Sequence, residues 1–162
     1  MRLATFSNKG TIRIGVIDNE NIVDLLSATP RLPNEMMMFL ASGESALTTA
    51  EQALDSTEHR IPLSEITLEA PIQRPNKFLG VGLNYMDHVQ ETGRDAPKNL
   101  MVFNKQSTCV NGPYAPFYMP RISEQLDYEC ELGVVIGKQC RHVSKEDAHM
   151  VIAGYTIVND VS

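Results

Sequence analysis

The order of apolar and polar positions divides the chain into a β-rich start, a helical middle and a strand-dominated second half. In TIRIGVI, Ile12, Ile14 and Val16 alternate with polar or small residues, the period-2 pattern of a half-buried strand. RLATF and NIVDLL are similar short apolar runs, and the turn-forming groups SNKG (7–10) and DNEN (18–21) separate the three. Residues 31–60 change period and read as helical. Pro33 and Asn34 give a start signal ahead of EMMMFLAS, and Leu47, Ala50 and Leu54 recur at helical spacing in a second segment. The run Met36–Met38 fits an ordinary helix core better than a soft binding surface. IPLSEITLEAPI is extended and bounded by prolines.

APIQRP (70–75) has two prolines in six residues and no periodicity, the mark of a linker. The pattern predicts a small α+β domain over 1–70, a linker over 71–75 and a second domain over 76–162. In that second part Lys77–Val81 reads as a buried strand, and Asn84 caps a short helix that Gly93 ends. LMVFNK is a further strand, 109–122 is loop, and YECELGVVIG is a strand or strand pair. SKEDAHMV reads as a helix capped by Ser144, and IAGYTIVND as a last strand. GVG at 80–82 does not extend to a dinucleotide fingerprint, because Tyr85 stands where a third glycine is needed. Its glycines are expected to permit close strand-to-helix packing.

Composition narrows the function classes. The net charge is −6, which argues against a dedicated nucleic-acid binder, whose mark is a basic stripe. The 43% hydrophobic and 21% charged content is that of a globular protein. Cys109, Cys130 and Cys140 form no CxxC pair, which points to a reducing compartment and a cytoplasmic location. MRLATFSNKG has no apolar signal core, and no apolar run approaches the ~20 residues of a membrane span.

The chemistry sits in LDYECELGVVIG. On a strand, Glu129 and Glu131 project to one side, with Tyr128, Cys130 and Leu132 to the other. Two like charges side by side repel, and burial makes this worse. Both can face water, cationic side chains can pair with them, or a metal ion can sit between them. Carboxylate oxygens suit Mg2+, Mn2+ or Ca2+ better than zinc. Spacing alone favours the solvated strand edge. Asp160, closing the strand GYTIVND, shifts that balance: three carboxylates can hold one side of an octahedral cation and leave positions for water and substrate.

NYMDHVQETG carries His88 and Glu91 at i, i+3, on one helical face. A carboxylate beside an imidazole fixes its tautomer and suits a general base. Taken alone, an exposed ion pair is the plainer reading. His142 and His149 read as surface or structural residues.

The order GVGLNYMDHVQETG, a strand ending FNK, LDYECELGVVIG, then GYTIVNDVS resembles the fumarylacetoacetate hydrolase superfamily, over the whole chain. The resemblance implies an α+β, mainly β fold: the small N-terminal domain of bacterial members, then the first part of a mixed, barrel-like β-sheet catalytic domain. It implies Mg2+ or Mn2+ held by Glu129, Glu131 and Asp160, a catalytic pair His88 and Glu91 on a lid helix, and Lys105 near the substrate or in a salt bridge to one of the acids. The implied substrates are 2-oxo and diketo acids, and the implied assembly is a homodimer. The expected reaction is hydrolysis of a C–C bond in an acylpyruvate through an enolate that the metal stabilises as a Lewis acid. Oxaloacetate-type decarboxylation and 2-hydroxymuconate-type isomerisation or hydration are the alternatives on the same site. The family's catalytic domain runs on past the residue matching Ser162 and there supplies a pocket lysine and threonine. An inactive fragment, with Asp160 loosely held near a fraying end, is therefore a further expectation.

Overall fold

Lys9 and Gly10 both adopt left-handed backbone angles (φ 49° and 78°), the signature of a tight type I′ turn. They join β1 (Arg2–Asn8) to β2 (Thr11–Asp18), so that Asn8 faces Thr11 and Arg2 faces Ile17. A second two-residue turn, with Asn19 at φ 53°, leads into β3 (Asn21–Asp24). The computed structural model describes residues 1–91, 93 and 95–162. Thr92, in the predicted helix 84–93, lies outside the described residues.

Contacts group the chain into two units, Met1–Pro71 with Gly112–Ser162, and Ile72–Asn111. In the first unit, β4 (Arg60–Pro62) and β5 (Thr67–Leu68) complete a five-stranded antiparallel sheet in the order β4-β3-β2-β1-β5. One face gathers Ala4, Phe6 and Ile22, with Ile17, Ile61, Leu63, Ile66 and Leu68 around them. The strand centres are buried on both faces rather than one: Ala4, Thr5 and Phe6 are consecutive buried residues, and so are Ile14, Gly15 and Val16. Ile12, by contrast, is exposed near the turn.

Three short helices follow. The apolar run NIVDLL splits at Asp24, whose carboxylate accepts from the Leu26 N–H (3.1 Å) and starts α1 (Leu25–Ala28). Asp24 is itself buried, where it pairs with Arg13 and accepts from the Ser27 hydroxyl (2.7 Å). α2 spans Met36–Ala41 and is capped by Glu35, not by Asn34. The Glu35 carboxylate accepts from the N–H groups of Met37 and Met38, whereas the Asn34 amide donates to the Ile12 carbonyl. Met36 and Phe39 are buried, and Met38 is 62% exposed. α3 (Glu44–Gln52) continues into a 3-10 turn, and its buried stripe is Ala46, Ala50 and Ala53. The helical reading fails from Ser56 onward, where the chain turns back to form β4. The start of the expected linker is tied down: the Pro71 carbonyl accepts the Thr5 hydroxyl at 2.8 Å.

The same unit carries an antiparallel hairpin of β8 (Cys130–Ile136) and β9 (Ile152–Asn159). A β-bulge interrupts its register between Val135 and Ile136. The connection between them does not hold the predicted helix at 144–151. Ser144 caps as expected, exchanging bonds with Asp147, but only a 3-10 turn at Ala148–Val151 follows.

In the second unit, β6 (Phe78–Gly82) pairs antiparallel with β7 (Met101–Lys105), and α4 (Met86–Glu91) lies between them in sequence. β6 is not the buried strand its apolarity suggests: Leu79 and Val81 are exposed and Gly80 is buried. Gly80 faces Phe103, whose ring fills the space a Cβ would take. This glycine serves strand-to-strand contact, not the expected strand-to-helix packing.

Candidate metal centre

The hairpin register decides which acids meet. Cys130 faces Asn159 and Glu131 faces Val158, so the next pair outward is Glu129 with Asp160. Glu129 lies one residue before β8 and Asp160 one residue after β9, yet the ladder continues through them. The Asp160 N–H donates to the Glu129 carbonyl at 2.8 Å, and further out Asp127 and Ser162 exchange both main-chain bonds at 2.8 and 3.2 Å. Asp160 is 8% exposed. The expected loose hold on Asp160 is thus overturned: within the described residues it is a paired, buried position.

Alternation along the strands places Glu129, Glu131 and Asp160 on one face. One carboxylate oxygen from each lies within 4.8 Å of the others, and the two glutamates are half-buried. Around a cation with oxygens at about 2.1 Å, neighbouring oxygens are about 3.0 Å apart and opposite ones about 4.2 Å. The three carboxylates therefore need only a small inward movement to share one ion, and an all-oxygen set suits a hard divalent cation.

The opposite face of the hairpin is apolar and open to solvent. Leu132 faces Ile157 and Val134 faces Tyr155, with Leu132 63% and Ile157 79% exposed. Cys130 belongs to this face, and all three cysteines are free and exposed.

The other sequence-predicted residues lie in the second unit. Leu83, at φ 53°, turns the chain out of β6, and the Tyr85 carbonyl accepts the first helical bond from Val89. The helix thus starts one residue later than the Asn84 cap predicts. His88 and Glu91 are one turn apart on α4 and both are exposed. Among the described residues no salt bridge joins them. Gly93 closes the helix through its N–H to the Gln90 carbonyl. Lys105 ends β7 with its ammonium 5.4 Å from the centre of the Phe103 ring. His149 bonds the Glu146 carbonyl at 2.8 Å on the surface, and His142 is exposed at φ 55°.

One contributor has no special weight in the sequence pattern. The Asn159 carboxamide oxygen accepts the Glu129 N–H at 3.1 Å. An Asn beside an acid at a strand end is the only sign of it, through the habit of Asn side chains of bonding nearby backbone.

Residues 77–162 match the family model for the C-terminal domain of fumarylacetoacetate hydrolase. The chain belongs to the fumarylacetoacetate hydrolase family. Among relatives, it is 43% identical over its whole length to the mitochondrial oxaloacetate tautomerase fahd2 of Xenopus laevis, covering 52% of that protein. Among solved structures, 99% of the chain superposes on 58% of maleylpyruvate hydrolase from Sphingobium sp. SYK-6, determined with manganese(II) and pyruvate (TM-score 0.80, 31% identity). The whole chain also superposes on 55% of 5-carboxymethyl-2-hydroxymuconate delta-isomerase from Mycobacterium smegmatis (TM-score 0.71, 28% identity). These likenesses agree with the α+β, mainly β architecture expected from the sequence. The chain spans about half the length of the curated relatives it matches.

Proposed function

We infer that the protein serves divalent-metal-dependent chemistry on small 2-oxo acids, with Glu129, Glu131 and Asp160 as the metal ligands. The observation that carries this reading is the convergence of these carboxylates within 4.8 Å at the end of the β8–β9 hairpin. The manganese and pyruvate in the structure of the Sphingobium hydrolase support both the cofactor class, Mg2+ or Mn2+, and the substrate class. The ion would supply Lewis-acid polarisation of the 2-oxo group. The remaining work falls to this chain's own side chains. The three carboxylates would fix the ion's position and offset its charge. His88 would take and return a proton beside the polarised carbonyl, with Glu91 orienting its ring. Lys105 would attract the acid's carboxylate.

Within that class, keto–enol tautomerisation of an oxaloacetate-type acid is favoured by the 43% identity to the frog tautomerase. It needs only proton movement beside a polarised carbonyl. Hydrolysis of an acylpyruvate, the reaction expected from the sequence, is the second reading, supported by the likeness to maleylpyruvate hydrolase. A homodimer and a cytoplasmic location belong to the same proposal. The domain boundary at 71–75 does too, supported by a family match that begins at Lys77.

The deciding experiment strips the purified protein of metal and restores Mn2+ in the presence of enol-oxaloacetate or of an acylpyruvate. Faster loss of the enol's ultraviolet absorbance without pyruvate release is the expected outcome. Pyruvate release from the acylpyruvate would establish the second reading in its place. No Mn2+-dependent change in either substrate would overturn both.

A further inference from the structure

The register of the hairpin exposes an irregularity at the acid cluster. Asp127 with Ser162 and Glu129 with Asp160 are alternate, hydrogen-bonded positions of one antiparallel ladder. Asp127 and Ser162 exchange both of their main-chain bonds. At the next such position inward the Asp160 N–H makes its ladder bond, to the Glu129 carbonyl. The reciprocal donor, the Glu129 N–H, goes to the side-chain oxygen of Asn159. A carboxamide thus takes the acceptor's place in the ladder at the position where Glu129 and Asp160 face each other across the strands.

We propose that Asn159 is a positioning residue of the metal centre: its carboxamide, standing in for a main-chain acceptor, fixes the Glu129 backbone so that the Glu129 and Asp160 carboxylates converge with Glu131. The inference rests on reading the three acids as metal ligands, and adds the part that holds one of them in place. Asn159 itself alternates to the face of Cys130, away from the carboxylates, so its side chain reaches the site only through this bond. Residues that orient ligands without touching the metal change its affinity by about 10–100-fold when removed.

The test compares Asn159→Leu, nearly the same shape with no acceptor, and Asn159→Asp, which keeps an acceptor oxygen in place. Two quantities are read: the hydrogen-exchange rate of the Glu129 amide in metal-free protein, by NMR, and Mn2+ affinity, by isothermal titration. In Asn159→Leu the Glu129 amide is expected to exchange faster, with the Gly133 and Thr156 amides, further along the same ladder, unchanged, and Mn2+ affinity to fall about 10–100-fold. Asn159→Asp is expected to retain amide protection and to bind Mn2+ at least as well as the parent protein. An Asn159→Leu protein with a protected Glu129 amide and undiminished Mn2+ affinity overturns the proposal. Should the leucine variant not fold, Asn159→Asp decides, because an unprotected Glu129 amide there excludes the acceptor role. A parent protein that takes up no Mn2+ refutes the metal reading instead, and the amide exchange still reports on the clamp.

Discussion

Asp160 and Glu129 are joined through their main chains, N–H to carbonyl at 2.8 Å, while their side chains share one face with Glu131. The bond holds together two groups whose charges push apart. Asp160→Asn keeps the backbone bond and removes one charge. Mn2+ affinity is expected to fall at least about 100-fold, some 2.7 kcal/mol. Added Mn2+ should raise the melting temperature of the parent more than that of the variant, since the parent gains more binding energy on folding. Calorimetric titration and thermal melts with and without Mn2+ check both halves.

Removal of Glu131 probes the same cluster from within β8. Glu131→Ala leaves the strand intact and takes away one donor, so Mn2+-dependent turnover should vanish while far-UV circular dichroism stays unchanged. Turnover that survives at the same Mn2+ concentration would place the metal elsewhere.

His88 and Glu91 lie on a solvent-facing helix turn. If His88 moves the proton, His88→Gln lowers kcat by about 10²–10⁴-fold and leaves Mn2+ affinity and fold untouched. Glu91→Gln should act in the same direction but less, because it works through the imidazole. A change confined to KM would assign His88 to substrate binding.

Stability of the N-terminal sheet should depend on Asp24. It caps α1, accepts from Ser27 and pairs with Arg13 from a buried position. Asp24→Ala leaves Arg13 without its counter-charge and α1 without its cap, at an expected cost of about 2–4 kcal/mol. Pairing that change with Arg13→Met should recover part of the loss, because the uncompensated charge goes too. Urea denaturation gives the numbers.

Gly80 offers a packing test. A Cβ there would overlap the Phe103 ring, so Gly80→Ala should destabilise its unit by about 1–3 kcal/mol. Phe103→Leu in the same chain should restore most of this, which thermal melts of the single and double variants would show.

Legibility followed locality. SNKG and DNEN mark two-residue turns because the conformational demand is met by the turn residues themselves, and β1 to β3 form where the pattern places them. The faces of β8 were also readable, since alternation needs only the sequence. What depended on remote partners was not. β6 reads as buried because FLGVG is apolar, but in a two-stranded ladder Leu79 and Val81 have little to cover them. SKEDAHMV has a cap and helix-forming residues, yet its surface position offers no packed face to extend one turn into a helix. Glu35 rather than Asn34 caps α2 because the longer acid reaches back to two N–H groups while Asn34 is engaged by β2. The meeting of Glu129 with Asp160 depends on a register set across a connection of many residues, which no local pattern specifies.

That register carries a last consequence. Side chains on a strand repeat every two residues, so a slip by one would carry the acids to the oily side and Leu132 and Val134 to the charged side. The bulge between Val135 and Ile136 lies at the end nearest the 137–151 connection, remote from Glu129 and Asp160. It acts as a phase break. Lengthening or shortening of that connection can be absorbed there without altering the pairing of Leu132 with Ile157 or of Glu131 with Val158. The hairpin can therefore drift in sequence at one end while its chemistry at the other stays in step.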